Sequence, residues 1–103
     1  AGMTDMLIRS NQLGRSLAEV LGNKPAALMR GHGATVVGPS LPRLVTRSIF
    51  LSLNASLQSQ AMLMAQGGAI NYLDPEEARL IEAREGYGAS RAWEAWKKQA
   101  RQR

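Results

Sequence analysis

The chain has 103 residues, 45% of them apolar and none of them cysteine; it is one domain at most, has the composition of a folding chain, and cannot be a disulfide scaffold or a thiolate site. A formal charge of +5 and a pI of about 10.5 raise anionic partners, but five cations, Arg91, Lys97, Lys98, Arg101 and Arg103, lie in the last 13 positions, and the remainder is close to neutral. No zinc finger, helix-turn-helix or basic aromatic strand pattern accompanies that tail, so no nucleic acid is expected as a partner.

Residues 1–9 read as the end of an element that begins upstream, with Met6-Leu7-Ile8 as a short apolar run. Ser10 or Asn11 can cap a helix, and Leu13, Leu17, Val20 and Leu21 then share one helical face. Gly22-Asn23 suits a left-handed stop. Ala26 to Met29 is apolar at every position, as in a strand covered on both faces, and Thr35-Val36-Val37 is β-branched and reads as a second strand.

Ser40 and Pro42 start a long helix over about Leu41 to Ala65. Its apolar positions, Leu44, Val45, Ile49, Leu51, Leu53, Leu57, Ala61, Met62 and Met64, cover most of the circumference, so burial on more than one side is expected. Arg43, Arg47, Asn54, Gln58 and Gln60 interrupt the segment and exclude it as a membrane span. With 103 residues there is little to cover such a helix. An oligomer, or a domain of which this chain is one piece, is therefore expected.

Gly67-Gly68 ends that helix. Asp74-Pro75-Glu76-Glu77 starts the next, with a cap, a first-turn proline and two acids at the positive end of the helix dipole. Gly86-Tyr87-Gly88 predicts an interruption, and Ser90 then caps a basic tail helix over about 89–103. Trp93 and Trp96 form an apolar stripe there and are expected to pack on protein rather than on a ligand. No secretory signal opens the chain, and the lack of cysteine fits a reducing compartment, so a cytoplasmic location is expected.

The chemistry concentrates at Arg30-Gly31-His32-Gly33. His32 is the only histidine, and imidazole is the commonest protein metal ligand. The flanking glycines leave room beside the ring and permit angles that other residues resist. A strand on each side would hold the imidazole at the end of a hairpin. One histidine does not make a metal site, since a catalytic zinc site takes about three protein ligands.

From Leu28-Met29-Arg30-Gly31-His32-Gly33 through Val37-Gly38-Pro39-Ser40 the chain resembles the class II aldolase/adducin family, specifically the C-terminal half of its domain, over about residues 3–73. Leu53-Asn54-Ala55-Ser56-Leu57-Gln58 and Arg91-Ala92-Trp93-Glu94-Ala95-Trp96-Lys97 look most like the branch that decarboxylates hydroxylated aromatic or heteroaromatic acids and related semialdehydes. Asn54 departs from the sugar-phosphate aldolases, which usually carry a glutamate near that position.

The resemblance implies an α/β fold: the C-terminal part of an α/β/α sandwich with an antiparallel sheet, running helix, β-hairpin, long helix and C-terminal helices in a single partial domain, 1–103. It also implies a carbon–carbon lyase that uses a divalent metal, zinc or manganese, bound by three histidines. His32 is the one ligand this sequence supplies. The family's upstream His-x-His and acid/base carboxylate have no counterpart here. The expected function is therefore a fragment of an aldolase or decarboxylase, inactive alone and without metal of its own. Its full-length form would act on a hydroxy/oxo acid or a sugar phosphate as a homo-oligomer, a tetramer in the family. Tyr87 and Arg91 are candidates to contact substrate from a neighbouring subunit. The alternative is a non-enzymatic, adducin-like interaction module that uses the basic tail.

Overall fold

Ser10 stands where extended backbone turns helical, and its Oγ accepts a hydrogen bond from the Leu13 N–H at 3.2 Å, which satisfies one of the free donors of the first turn. The computed structural model describes residue 5 and residues 7–103, the side chains of residues 85–90 excepted. Its elements are α1 (Asn11–Leu21), β1 (Ala26–Met29), β2 (Gly33–Val36), α2 (Leu41–Ala65) and α3 (Pro75–Arg101). They fall into two compact units, Ala1–Gly38 and Pro39–Arg103.

In the first unit, α1 leads through Gly22 (φ +53) into β1, and the Gly22 N–H caps the Ala18 carbonyl at 2.9 Å. Strands β1 and β2 pair antiparallel with Ala27 opposite Thr35 and Met29 opposite Gly33. The Val37 N–H continues the ladder to the Pro25 carbonyl at 2.9 Å, so the second strand starts earlier than the β-branched run implies and fades at Val37. Helix α1 packs on β1. Ala27 is buried (8% exposed), whereas its neighbour Leu28 is 80% exposed. The expected cover on both strand faces is absent among the described residues: side chains alternate across a strand, and here one face meets α1 while the other stays open. Val20 is likewise exposed, so the apolar stripe of α1 narrows to Leu13, Leu17 and Leu21.

In the second unit, α2 begins at Ser40, whose Oγ accepts from the Arg43 N–H at 3.4 Å. It ends at Gln66 and Gly67, both with positive φ, where the Gly68 N–H reaches the Ala65 carbonyl at 2.8 Å. Helix α3 starts at Asp74, whose Oδ1 accepts from the Glu76 N–H at 2.8 Å, and folds back along α2. Glu82 on α3 meets Arg47 (3.0 Å) and Arg43 (3.9 Å), which stand one turn apart on the same face of α2. The Gln58 amide donates to the Tyr72 hydroxyl at 3.3 Å and ties the connecting segment to α2.

One expectation fails in this unit. The interruption at Gly86-Tyr87-Gly88 does not occur: α3 is one helix of 27 residues, and the basic tail is its last part rather than a separate element. Glycine inside a helix costs about 1 kcal/mol relative to alanine, which a helix with strong formers on both sides absorbs. As expected for a chain with little to cover it, α2 is not buried on more than one side within these residues. Thr46 is its one buried residue (5% exposed), while Ile49, Phe50, Leu53, Leu57, Met62, Leu63 and Met64 are exposed. The antiparallel pair and the helices agree with an α/β architecture.

Candidate functional site at the hairpin tip

The Met29–His32 segment is a β-turn whose chemistry follows from one glycine. The His32 N–H donates to the Met29 carbonyl at 3.1 Å, and Gly31, third of the four residues, has φ +70. Arg30, second, has an ordinary negative φ, so the turn is of type II, the form that calls for glycine in the third position. Gly33 follows at φ +147, again a value that L side chains rarely adopt. Thr35 supports the tip from the second strand, its hydroxyl donating to the Met29 sulfur at 3.6 Å.

The result is a turn that presents His32 and Arg30 to solvent. Neither side chain has a hydrogen-bond or ion-pair partner among the described residues. The sequence correctly places His32 at the end of a hairpin. Arg30 was not singled out, although its place before a turn glycine is the signal that exposes it. Arg91, the other described candidate, is an exposed residue on the last part of α3, in the second unit. The side chain of Tyr87 lies outside the described residues.

The donor set does not amount to a metal centre. Among the described residues no group of three or more His, Cys, Asp or Glu side chains could hold an ion, and His32 is the only histidine in the sequence. A metal centre needs about three protein ligands, so these residues do not by themselves fit one. A shallow depression along α1, lined by Asn11, Gln12, Arg15, Ser16 and Glu19, takes in none of the tip residues.

Comparison with known proteins gives the chain its relatives. The sequence pattern described as "Class II Aldolase and Adducin N-terminal domain" matches residues 2–59, which contain the whole hairpin and more than half of the chain. Decarboxylase tropJ of Talaromyces stipitatus is 32% identical over 89% of this chain and 41% of its own length. The 3,4-dihydroxyphthalate decarboxylases of Arthrobacter keyseri and Rhodococcus jostii are 30% and 28% identical, each over 85% of this chain and 35% and 36% of their own lengths. The chain thus spans about two fifths or less of these relatives. No solved structure gives a significant match. The described residues contain no helix long and apolar enough to cross a membrane. With the family pattern lying across the Arg-Gly-His-Gly hairpin and decarboxylases among its relatives, the chain belongs to the class II aldolase and adducin family, in its decarboxylase branch.

Proposed function

We propose that this chain is part of a metal-dependent carbon–carbon lyase, a decarboxylase of a hydroxylated aromatic or related hydroxy/oxo acid, and that it is inactive on its own. The observation that carries this reading is the glycine-dependent turn that presents His32, inside a segment matched by the family and shared with proteins named as decarboxylases. His32 would supply one ligand to a zinc or manganese ion, with the other ligands coming from protein outside these 103 residues. The chemistry such an ion would supply is Lewis-acid stabilisation of negative charge on a substrate oxygen. An aldolase acting on a sugar phosphate is the less favoured lyase, because the named relatives are decarboxylases. In an assembled homo-oligomer, Tyr87 and Arg91 are the residues assigned to substrate contact from a neighbouring subunit, and a cytoplasmic location fits such an enzyme.

Elemental analysis and carbon dioxide release from 3,4-dihydroxyphthalate test this reading together. The 103-residue protein alone is expected to hold far less than one divalent metal per chain and to release no carbon dioxide. A tightly held metal at one per chain, with turnover, overturns the inactivity. In any longer or assembled form that does turn over, His32→Ala is expected to remove both metal and activity, and activity that survives His32→Ala overturns the assignment of the ligand.

The basic end of α3 supports a second reading, an adducin-like interaction module. Arg91, Lys98, Arg101 and Arg103 are exposed there, and Lys97 pairs with Glu94 at 2.9 Å while lying 5.7 Å from the Trp93 ring centre. Binding of an acidic partner through this face would weaken steeply as salt rises.

A further inference from the structure

We propose that Arg30 is the residue that binds a carboxylate of the substrate which is not lost in the reaction, and so selects dicarboxylates over monocarboxylates. The inference rests on the lyase reading above and adds a substrate-selecting residue to it. The type II turn places Arg30 and His32 two residues apart, with Cα atoms no more than about 7 Å from each other, and leaves both side chains exposed at one tip. No acid of the described residues pairs with Arg30; Arg9, Arg43, Arg47 and Arg79 each meet a carboxylate, whereas Arg15, Arg84, Arg91, Arg101 and Arg103, like Arg30, do not, so what sets Arg30 apart is its place beside His32. A guanidinium is a planar fork that takes a carboxylate through two parallel N–H donors, so an exposed one on the same turn as the candidate metal ligand suits an anionic group on the substrate.

Chemistry decides which carboxylate. Decarboxylation breaks the bond between the ring carbon and the departing carboxylate. The electron pair of that bond stays on the ring carbon, which then takes a proton from water. Negative charge therefore leaves the departing group as the bond breaks. A cation held on that group would stabilise the starting state more than the transition state and slow the reaction. On the carboxylate that remains, the pairing is equally good before and during the reaction, so Arg30 there contributes to binding and selection rather than to the chemical step. Two of the relatives are named for a substrate with two carboxylates on one ring.

The test is steady-state kinetics on the active, assembled protein carrying this chain. The substrates are 3,4-dihydroxyphthalate and 2,3-dihydroxybenzoate, which keeps a carboxylate next to a hydroxyl and lacks the second carboxylate. Arg30→Gln is expected to raise KM for the dicarboxylate about 10- to 100-fold, the range for losing hydrogen bonds to a charged group, with kcat little changed. KM for the monocarboxylate should not move, and Arg30→Lys should recover part of the loss. Equal effects on both substrates, or a fall in kcat at constant KM, overturn the proposal. If the unmodified protein turns over neither compound, an NMR titration with phthalate itself decides the role of Arg30 independently of the lyase reading. Amide shifts at Arg30 to Gly33 that vanish in Arg30→Gln support carboxylate binding there. Absent shifts, or shifts that persist in Arg30→Gln, overturn it. Position two of a type II turn accepts glutamine, so the variant retains the turn.

Discussion

At Gly31 the backbone sits at φ +70, where an L side chain meets its own carbonyl. Gly31→Ala should lower the stability of the first unit by about 1–2 kcal/mol, read as a lower urea midpoint, and should blur the register at Met29 opposite Gly33. An unchanged midpoint would mean that the turn relaxes to another type, and that the type II presentation of His32 and Arg30 is not required by the fold. This residue-scale geometry was half legible in advance. Gly-His-Gly between two apolar runs points to a hairpin because glycine tolerates what the turn needs. Which glycine takes the positive φ of the turn, and that Arg30 therefore shares the tip with His32, follows from the hydrogen bond between His32 and Met29.

The elements were the most legible level. Ser10, Ser40 and Asp74 each cap the helix that their side chains and spacing predict, because a short oxygen-bearing side chain before an apolar helical run satisfies donors that the helix leaves free. Where the reading failed, at Gly86-Tyr87-Gly88, local propensity was outweighed by the helix around it. Gly14 offers a converse case. It lies inside α1, and a Cβ built there meets nothing within 4 Å. Gly14→Ala is expected to stabilise the chain by about 0.5–1 kcal/mol, through higher helix propensity and a less free unfolded chain, visible as a raised thermal midpoint. A drop in that midpoint would show the position crowded in solution. At the start of α3, the Arg79 guanidinium beside Glu76 holds that carboxyl below its usual range. The pair's contribution is present above the ordinary carboxylate range and disappears as pH falls through the lowered value. Both groups are exposed, so salt screens it.

On the scale of the whole molecule, the long uncovered face of α2 dominates. From Ser48 to Ala65 it carries no charge, and Phe50, Leu53, Leu57 (53% exposed) and Met64 (84% exposed) stand open to water. Contiguous apolar surface of this kind drives association. The 103-residue protein is therefore expected to self-associate as its concentration rises, measured as mass by sedimentation. Leu53→Ser with Leu57→Ser should shift it toward the monomer while changing the stability of the single chain by no more than about 0.5 kcal/mol per site. A monomer at all concentrations would contradict this. A large loss of single-chain stability would show that these side chains are covered within the chain.

The helices, their caps, the hairpin and the lone histidine at its tip are local consequences of residue type and spacing, and the sequence alone determined them. Hydrogen bonds within a turn or a helix link residues a few positions apart, so the pattern that makes them is written in adjacent letters. The tertiary structure decided what depends on distant residues: that α3 folds back along α2 with Glu82 between Arg43 and Arg47, that only one face of β1 is covered, and that most of α2 is left open. Periodicity marks a side chain as fit for burial. Only the partners that reach it determine whether it is buried.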